Sequence, residues 1–241
     1  MKINILTIFP EMFSSLESSM LGRAIDNGII EVNLVDIRDY TTDRHNRVDD
    51  TPYGGGAGMV MQVQPIMDAF RALNSSGTVL YMSPRGEMLT GDMASELSKE
   101  SEITILCGHY EGVDQRALDL LDAREVSIGD YVLTGGELPA MVLIDTMARF
   151  IDGVLASEES VLDESIYSGL LEYPHYSKPR EIEGLEVPEI LLSGNHQEID
   201  LWRWEKALAV TKEKRPDLFK KYLDGVGKLS KKEQKILDKY K

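Results

Sequence analysis

The chain has 241 residues, 42% of them hydrophobic and 28% charged, a balance typical of a soluble globular protein rather than a disordered one. No apolar run approaches the roughly 18 residues that span a membrane, and the first residues lack the pattern of a signal peptide. The single cysteine, Cys107, excludes an internal disulfide and a zinc site built from several thiolates. Together these features predict a cytoplasmic protein.

The net charge of −15 is unevenly distributed along the chain. Residues 203–241 carry 13 Lys and Arg against 6 Asp and Glu, a net charge of +7, so the rest of the chain carries −22. A basic C-terminal part on an acidic body is expected if only one end binds a polyanion such as RNA. A solvated, lysine-rich helical face would give the same net charge, so charge alone does not distinguish such a face from an RNA-binding surface.

Strand-like and helix-like segments alternate over the first ~150 residues, which predicts an α/β fold with a parallel sheet. The predicted strands are short, rich in Ile, Val and Leu, and mostly apolar on both faces, as buried parallel strands are. They cover residues 3–9, 30–37, 78–83, 103–108 and 125–128. Helices are predicted between and after them at residues 11–20, 65–73, 92–98, 114–122 and 138–150.

The remaining segments are a long loop and a second, mainly helical part. Residues 38–58 are polar and glycine-rich, and a structureless loop of this length is usually functional or mobile. Three helices are predicted near the C-terminus, at residues 197–214, 217–223 and 231–240. The predicted organisation is an α/β domain at residues 1–155, an acidic linker at 156–172 and a helical domain at 173–241.

Motif spacing excludes several nucleotide and metal sites. The run YGGGAG at residues 53–58 resembles a phosphate loop, but no Gly-Lys-Ser/Thr follows it. No G-x-G-x-x-G lies between a predicted strand and a predicted helix, so a dinucleotide site has no support. His109-Tyr110-Glu111 fits the H-x-E of zinc deaminases, but the P-C-x-x-C that must accompany it is absent. A resident catalytic metal is therefore not expected.

Three of the predicted strands end in distinctive runs, YMSP at residues 81–84 and the glycine-containing residues 107–112 and 128–137. In open α/β sheets, ligands bind outside the carboxyl ends of the strands. Glycine lets a flat ligand lie against the main chain, whose N–H and C=O groups can read an adenine edge. Any one of these glycines could simply make a tight turn, but three such loops at equivalent strand ends favour a ligand site.

Seven runs resemble the bacterial tRNA (guanine-N1)-methyltransferases, and the resemblance extends from Met1 to about Leu218. The runs are LTIFPEMF, YGGGAGMVMQVQP, YMSPRG, LCGHYEGVDQR, SIGDYVLTGGELPAMVLIDTMARFIDGVL, GLLEYPHYSKP and VPEILLSGNHQEI. The resemblance implies a SPOUT-class α/β domain with a parallel sheet and a deep C-terminal trefoil knot, followed by a small, mainly helical C-terminal domain. It implies a homodimer with each active site between subunits. The implied substrate is the anticodon arm of tRNA, methylated at N1 of guanosine 37, which another guanosine precedes.

The family's methyl donor is S-adenosylmethionine, and the resemblance implies that it binds in a bent conformation against the three loops. The residues that the resemblance assigns to this cofactor are Tyr81, Met82, Ser83, Pro84, Gly108, Tyr110, Ile128, Gly129, Asp130, Tyr131, Val132, Leu133, Gly135, Gly136 and Pro139.

Methylation of guanine N1 requires a general base that removes its proton and a cation that stabilises the charge reaching O6. Arg149 matches the family's arginine for this second role, although an arginine at a helix end also pairs with nearby carboxylates. The family's base is an aspartate directly before a serine, whereas here Glu164 precedes Ser165 and Asp163 lies one residue too early. We expect Glu164 to be the base. Asp163 is the alternative if the loop has shifted.

Two further assignments follow from the resemblance with alternatives beside them. The family is sensitive to Mg²⁺, and Glu111 is the first carboxylate to consider for it; an ion pair or a helix cap near Asp114 is the other interpretation. The basic residues expected to hold tRNA phosphates are Arg203, Lys206, Lys212, Lys214 and Arg215, although Val210 stands where the family often has a basic residue. Another SPOUT RNA methyltransferase and a non-catalytic RNA-binding SPOUT protein remain the alternative functions.

Overall fold

The computed structural model describes residues 1–155 and 169–241. By its internal contacts the chain divides into two compact units, residues 1–156 and 157–241. The predicted catalytic residues Asp163, Glu164 and Ser165 lie outside the described residues.

A five-stranded sheet forms the centre of the first unit, in the strand order β2-β1-β6-β5-β7. All neighbouring strands pair in parallel, and each overlaps a predicted strand, so the prediction of a parallel α/β fold is confirmed. The strands are β1 Lys2–Thr7, β2 Glu31–Asp36, β5 Thr78–Met88, β6 Glu102–Leu106 and β7 Arg124–Ser127, while β3 Asp49–Asp50 and β4 Val60–Met61 form a separate antiparallel pair.

Buried apolar side chains cover both faces of this sheet, as alternation along the strands requires. Ile3 and Ile5 of β1 belong to a cluster completed by helices α1 Ser19–Asp26, α3 Gly91–Leu97 and α5 Glu137–Ala148. Leu6 belongs to the cluster on the other face, which α2 Val63–Leu73 and α4 Gln115–Leu121 complete. The sheet therefore lies between two layers of helices, and its strand ends remain open for a ligand.

Strand β5 runs five residues beyond its predicted end. Met82 and Glu87 both pair with Val126 of β7, so residues 83–86 form a bulge between two paired stretches. Pro84 and Gly86 lie in this bulge, and both residue types indicate the end of a strand when only the sequence is read. The bulge bends the end of β5 at the edge where the ligand loops begin.

The prediction of one helix at residues 11–20 is wrong. The structure has a 3₁₀ helix at Pro10–Glu17, an extended residue at Ser18 and then α1, which the sequence did not predict. The sequence did not predict α1 because Gly22 lies inside it, and glycine in a helix lowers helix stability by about 1 kcal/mol relative to alanine. A Cβ at Gly22 would lie 2.1 Å from the carbonyl oxygen of Glu17, so only glycine lets the two helices pack this closely.

The second unit packs three helices, α6 His196–Lys214, α7 Pro216–Gly225 and α8 Lys231–Leu237, around Leu208 and Phe219. Leu170 is buried in the same cluster, and the N–H of the residue after it donates to Thr211 Oγ1 at 2.8 Å. Leu170 and the backbone of Leu171, at the C-terminal end of the predicted linker, thus contact the helices of the second unit. No helix among the described residues is long and apolar enough to cross a membrane.

The single cysteine provides a test of this core. Cys107 follows β6, is fully buried and donates its N–H to the carbonyl oxygen of Leu6 at 2.9 Å. Burial raises the pKa of the Cys107 thiol well above its ordinary value, and the negative charge of Glu137 adds to this effect. Since the unfolded thiol ionises at about pH 8.5, stability that depends on the protonated thiol should fall as the pH rises above that value.

We therefore predict that a disulfide reagent such as dithionitrobenzoate leaves the native protein unmodified at pH 8 and titrates one thiol after denaturation. The Cys107→Ala variant, which cannot ionise here, should lose less stability than the parent between pH 8 and pH 10. Fast modification of the native protein at the rate of a free thiol would contradict this description of the core.

Candidate functional site

A cleft of about 370 Å³ opens at the carboxyl ends of β5, β6 and β7. Its walls come from the bulge of β5, the loop after β6 and the segment that connects β7 to α5. The position agrees with the general rule for open parallel sheets, in which crossover helices leave the carboxyl ends of the strands accessible.

Of the fifteen residues predicted to hold the cofactor, fourteen line this one cleft. The exception is Asp130, which is exposed and is not among the lining residues. The lining residues without a sequence-based assignment lie in the same loops or within a few residues of them, in β7 and at the start of α4, so sequence adjacency was the signal that could have found them. They are Arg85, His109, Gly112, Val113, Gln115, Val126, Ser127 and Thr134.

The cleft depends on two loops that touch through their main chains. The Gly136 N–H donates to the carbonyl oxygen of Gly108 at 2.9 Å. A Cβ at Gly136 would lie 2.8 Å from the Cα of Cys107, and a Cβ at Gly108 would lie 2.8 Å from the ring of Tyr81. Side chains at either position would push the loops apart or displace the tyrosine, so glycine is required for this close approach.

Three tyrosines, Tyr81, Tyr110 and Tyr131, line the cleft, and the pKa values of the first two are raised. Burial raises the pKa of the Tyr81 phenol, and the charge of Glu125 adds to the effect. Tyr110 has a positive φ of 60° and is 48% exposed, so its ring is presented to solvent at the mouth of the cleft. Burial raises the pKa of Tyr110 as well, helped by the negative charge of Asp49.

A buried polar cluster lies behind the cleft wall. Glu137, the first residue of α5, is only 1% exposed, and it accepts a hydrogen bond from Thr7 Oγ1 at 2.7 Å. Its second oxygen lies 2.9 Å from His109 Nε2, and the His109 ring packs edge-on against Phe9 with the ring centroids 4.8 Å apart. Sequence reasoning missed Thr7 and Glu137 because the hydrogen bond between them joins residues 130 positions apart.

The predicted catalytic residues of the first unit separate into two places. Glu111 lines the cleft and packs against Gly58, where a Cβ would lie 2.4 Å from its side chain. The helix-cap interpretation of Glu111 is wrong, because Asp114 caps α4 by accepting the N–H of Arg116 at 3.0 Å. Arg149 follows the twelve-residue helix α5, whose opposite end borders the cleft. Arg149 thus lies about 15 Å along the helix axis from Pro139, the last residue of α5 that lines the cleft.

No group of three or more His, Cys, Asp or Glu side chains within residues 1–155 and 169–241 is placed to hold a metal ion. Within that part of the chain, the acidic side chain that lines the cleft is Glu111.

The basic residues predicted to hold tRNA have different surroundings in the second unit. The Arg203 guanidinium lies 5.2 Å from the centroid of the Tyr173 ring, and Lys206 Nζ lies 5.8 Å from that of Trp202. Lys212 donates to the carbonyl oxygen of Tyr240 at 2.5 Å, and Arg215 pairs with its neighbour Asp217 at 2.6 Å, while Lys214 is exposed. Arg203 and Lys206 thus combine a cation with an aromatic ring, the combination that unpaired nucleotides favour.

Comparison of the sequence with known proteins identifies the family of this chain. A family model described as tRNA (Guanine-1)-methyltransferase TrmD matches residues 1–221. A tRNA (guanine-N(1)-)-methyltransferase of Clostridium botulinum strain Hall is 52% identical over 239 residues, which is 98% of this chain and 97% of that protein. Enzymes of the same name from Clostridium perfringens strain SM101 and Clostridium tetani strain Massachusetts are 53% and 50% identical, covering 98% of this chain and 99% and 97% of their own lengths. The chain therefore belongs to the TrmD family of tRNA (guanine-N1)-methyltransferases.

Proposed function

We propose that this protein transfers a methyl group from S-adenosylmethionine to N1 of guanosine 37 in tRNA, where another guanosine precedes the target. The observation that carries the proposal is that the residues assigned to the cofactor from three separate loops meet in one cleft at the carboxyl ends of the strands. Membership of the family and relatives that share its name over nearly the whole chain support the reaction.

The cleft fits a nucleoside cofactor in size and chemistry. Its volume of about 370 Å³ falls within the range of small-molecule pockets, roughly 300–1,000 Å³. Residues 108, 135 and 136 are glycines that line the cleft, so main chain without side chains faces a flat ligand there. When bound, S-adenosylmethionine supplies a methyl group that its sulfonium has already activated.

We place the trefoil knot of the SPOUT class in this part of the chain. The segment before α5 packs directly on the backbone that follows β6, with an isolated bridge between His109 and Gly135 beside the Gly136 to Gly108 hydrogen bond. Such main-chain contact between segments distant in sequence is what a threaded chain requires.

We further infer a homodimer in which Arg149 of each protomer serves the cleft of the other. Helix α5 is apolar around most of its circumference, yet Leu138 and Val142 remain 50% and 45% exposed. A helix of this composition is normally buried on all sides. Because Arg149 lies about 15 Å along α5 from Pro139 in the cleft wall of its own chain, a second protomer gives it a route to a substrate.

The residues of the chain then divide the chemistry. A carboxylate of the 163–165 segment removes the N1 proton, and we assign this role to Glu164, beside Ser165, with Asp163 as the alternative. Arg149 stabilises the negative charge that reaches the guanine O6 as the proton leaves. We assign any assistance by Mg²⁺ to Glu111, the carboxylate on the cleft wall.

Recognition of the anticodon arm belongs to the second unit in this proposal. Arg203 and Lys206 offer charge for phosphates, while Tyr173 and Trp202 beneath them offer ring faces. Tyr176, which is 48% exposed and 6.4 Å from the Trp202 ring, extends this surface. Aromatic rings and cations in alternation suit the unpaired loop of a tRNA arm.

Transcripts of a tRNA with guanosines at positions 36 and 37 test the function directly. Incubation with labelled S-adenosylmethionine and digestion to nucleosides should give N1-methylguanosine from position 37. A transcript with adenosine at position 37 should remain unlabelled. Methylated ribose, a different methylated base, or no transfer at all would contradict the proposal.

The general base can be identified by single-turnover methylation. Glu164→Gln should lower the rate by about 100-fold or more, because general-base catalysis contributes roughly 10²–10⁴. Asp163→Asn is the matched variant and should stay within a few-fold of the parent enzyme. Cofactor binding by both variants should be unchanged. The reverse pattern of rates would show that the base is Asp163.

The tRNA surface can be tested through salt dependence. Lys206→Gln should weaken tRNA binding and reduce the slope of log affinity against log salt by roughly one unit, as expected for one lost phosphate contact. Lys239 pairs with Glu205 at 2.8 Å in the same unit, so Lys239→Gln is the matched control and should leave the slope unchanged. Equal slopes for the parent and Lys206→Gln would remove this lysine from the RNA surface.

A further inference from the structure

Glu137 is a buried acid for which the reaction described above has no use. Its carboxylate is 1% exposed, and both oxygens are occupied, one by the Thr7 hydroxyl at 2.7 Å and one by His109 at 2.9 Å. Thr7 is itself fully buried and accepts the N–H of Phe9 at 3.0 Å. The three side chains therefore form a closed hydrogen-bonded cluster at the end of β1, behind the cleft wall.

The cluster satisfies the hydrogen bonds of Glu137, and it can do so with donors that are neutral. A carboxylate only accepts hydrogen bonds, so His109 donates from Nε2, which a neutral imidazole can do. The Thr7 hydroxyl is a neutral donor as well. Among the described residues no lysine or arginine forms an ion pair with Glu137; the start of α5 offers it only the partial positive charge of a helix N-terminus. With a neutral His109, the cluster keeps one negative charge.

The carboxylate of Glu137 lies directly behind two residues that line the cleft, His109 and Gly135. A Cβ at Gly135 would lie 2.1 Å from His109 Nε2 and 2.5 Å from a Glu137 carboxylate oxygen, and both Gly135 and His109 line the cleft. Glycine at this position leaves no side chain between the pair and the cleft. Glu137 also lies close enough to Cys107 to add to the effect of burial, which raises the pKa of that thiol.

We propose that the Glu137 carboxylate makes the cleft selective for a cationic ligand, so that S-adenosylmethionine binds more tightly than S-adenosylhomocysteine. The inference rests on the proposed function. In that reaction the carbon–sulfur bond breaks, its electron pair stays on sulfur, the methyl group bonds to guanine N1, and the N1 proton goes to the general base. The sulfonium thereby becomes a neutral thioether. The attraction to Glu137 is lost at the moment of transfer, which favours release of the product.

The variant Glu137→Gln separates the effect of the charge from the effect of the hydrogen bonds, because it removes only the charge. The amide oxygen can still accept from Thr7, and the amide nitrogen can donate to His109 once the imidazole changes its tautomer. Thr7→Val is the matched control, because it removes a hydrogen bond of the same cluster and keeps the charge. Calorimetric titrations would use three ligands: S-adenosylmethionine, S-adenosylhomocysteine and sinefungin, which carries an amine in place of the sulfonium.

Glu137→Gln should lower the affinity for S-adenosylmethionine and for sinefungin by about tenfold, the scale expected when a unit charge within about 10 Å of another is removed. It should change the affinity for S-adenosylhomocysteine by less than about twofold. Thr7→Val should move all three affinities together. Equal losses for all three ligands in Glu137→Gln, or no loss, would overturn the inference.

If Glu137→Gln does not fold, His109→Lys, which sets an ammonium against the same carboxylate, must produce the same selective loss. An unchanged affinity ratio in that variant would equally overturn the inference. A parent protein that binds none of the three ligands would overturn the proposed function itself, which distinguishes the two failures.

Discussion

The main-chain contact between the loop after β6 and the segment before α5 is the constraint on which the rest of the first unit depends. Because Gly108 and Gly136 carry no side chains, the two segments share a hydrogen bond and leave a cleft of fixed width beside Tyr81. The same contact places Glu137 at the start of α5, within reach of Thr7 and His109. Cleft shape and buried charge therefore follow from one local arrangement, and a side chain at either glycine would disturb both.

The helix that begins at this contact also determines where Arg149 lies. Helix α5 starts beside the cleft and ends twelve residues later, so the arginine after it is carried away from the cleft of its own chain. Leu138 and Val142 leave an apolar stripe exposed on the same helix. A second protomer packed on α5 would account for both observations, and we propose a dimer for this reason.

Local pattern was enough to predict most of the first unit, and the exceptions have physical causes. Runs of Ile, Val and Leu identified the five strands of the sheet, and the pattern is clearest in β1 and β6, where burial on both faces leaves few other residue types. Helix α1 was missed because Gly22 is needed for close packing, a tertiary requirement that helix propensity does not contain.

The Thr7 to Glu137 hydrogen bond spans 130 residues, so only the fold brings the two side chains together. The residues of the cleft were predicted from the family resemblance. Asp130 is the exception, because it lies in the same loop as several of them but does not line the cleft.

Hydrogen exchange of the protein with and without S-adenosylmethionine tests the central claim, that this cleft is the cofactor site, most directly. The account predicts slower amide exchange on cofactor addition at residues 81–85, 108–113 and 128–136, the three segments that line the cleft. It predicts no comparable change in helices α6, α7 and α8 of the second unit. Protection that appears in the second unit instead, or that spares the loop after β6 and the segment before α5, would contradict the account.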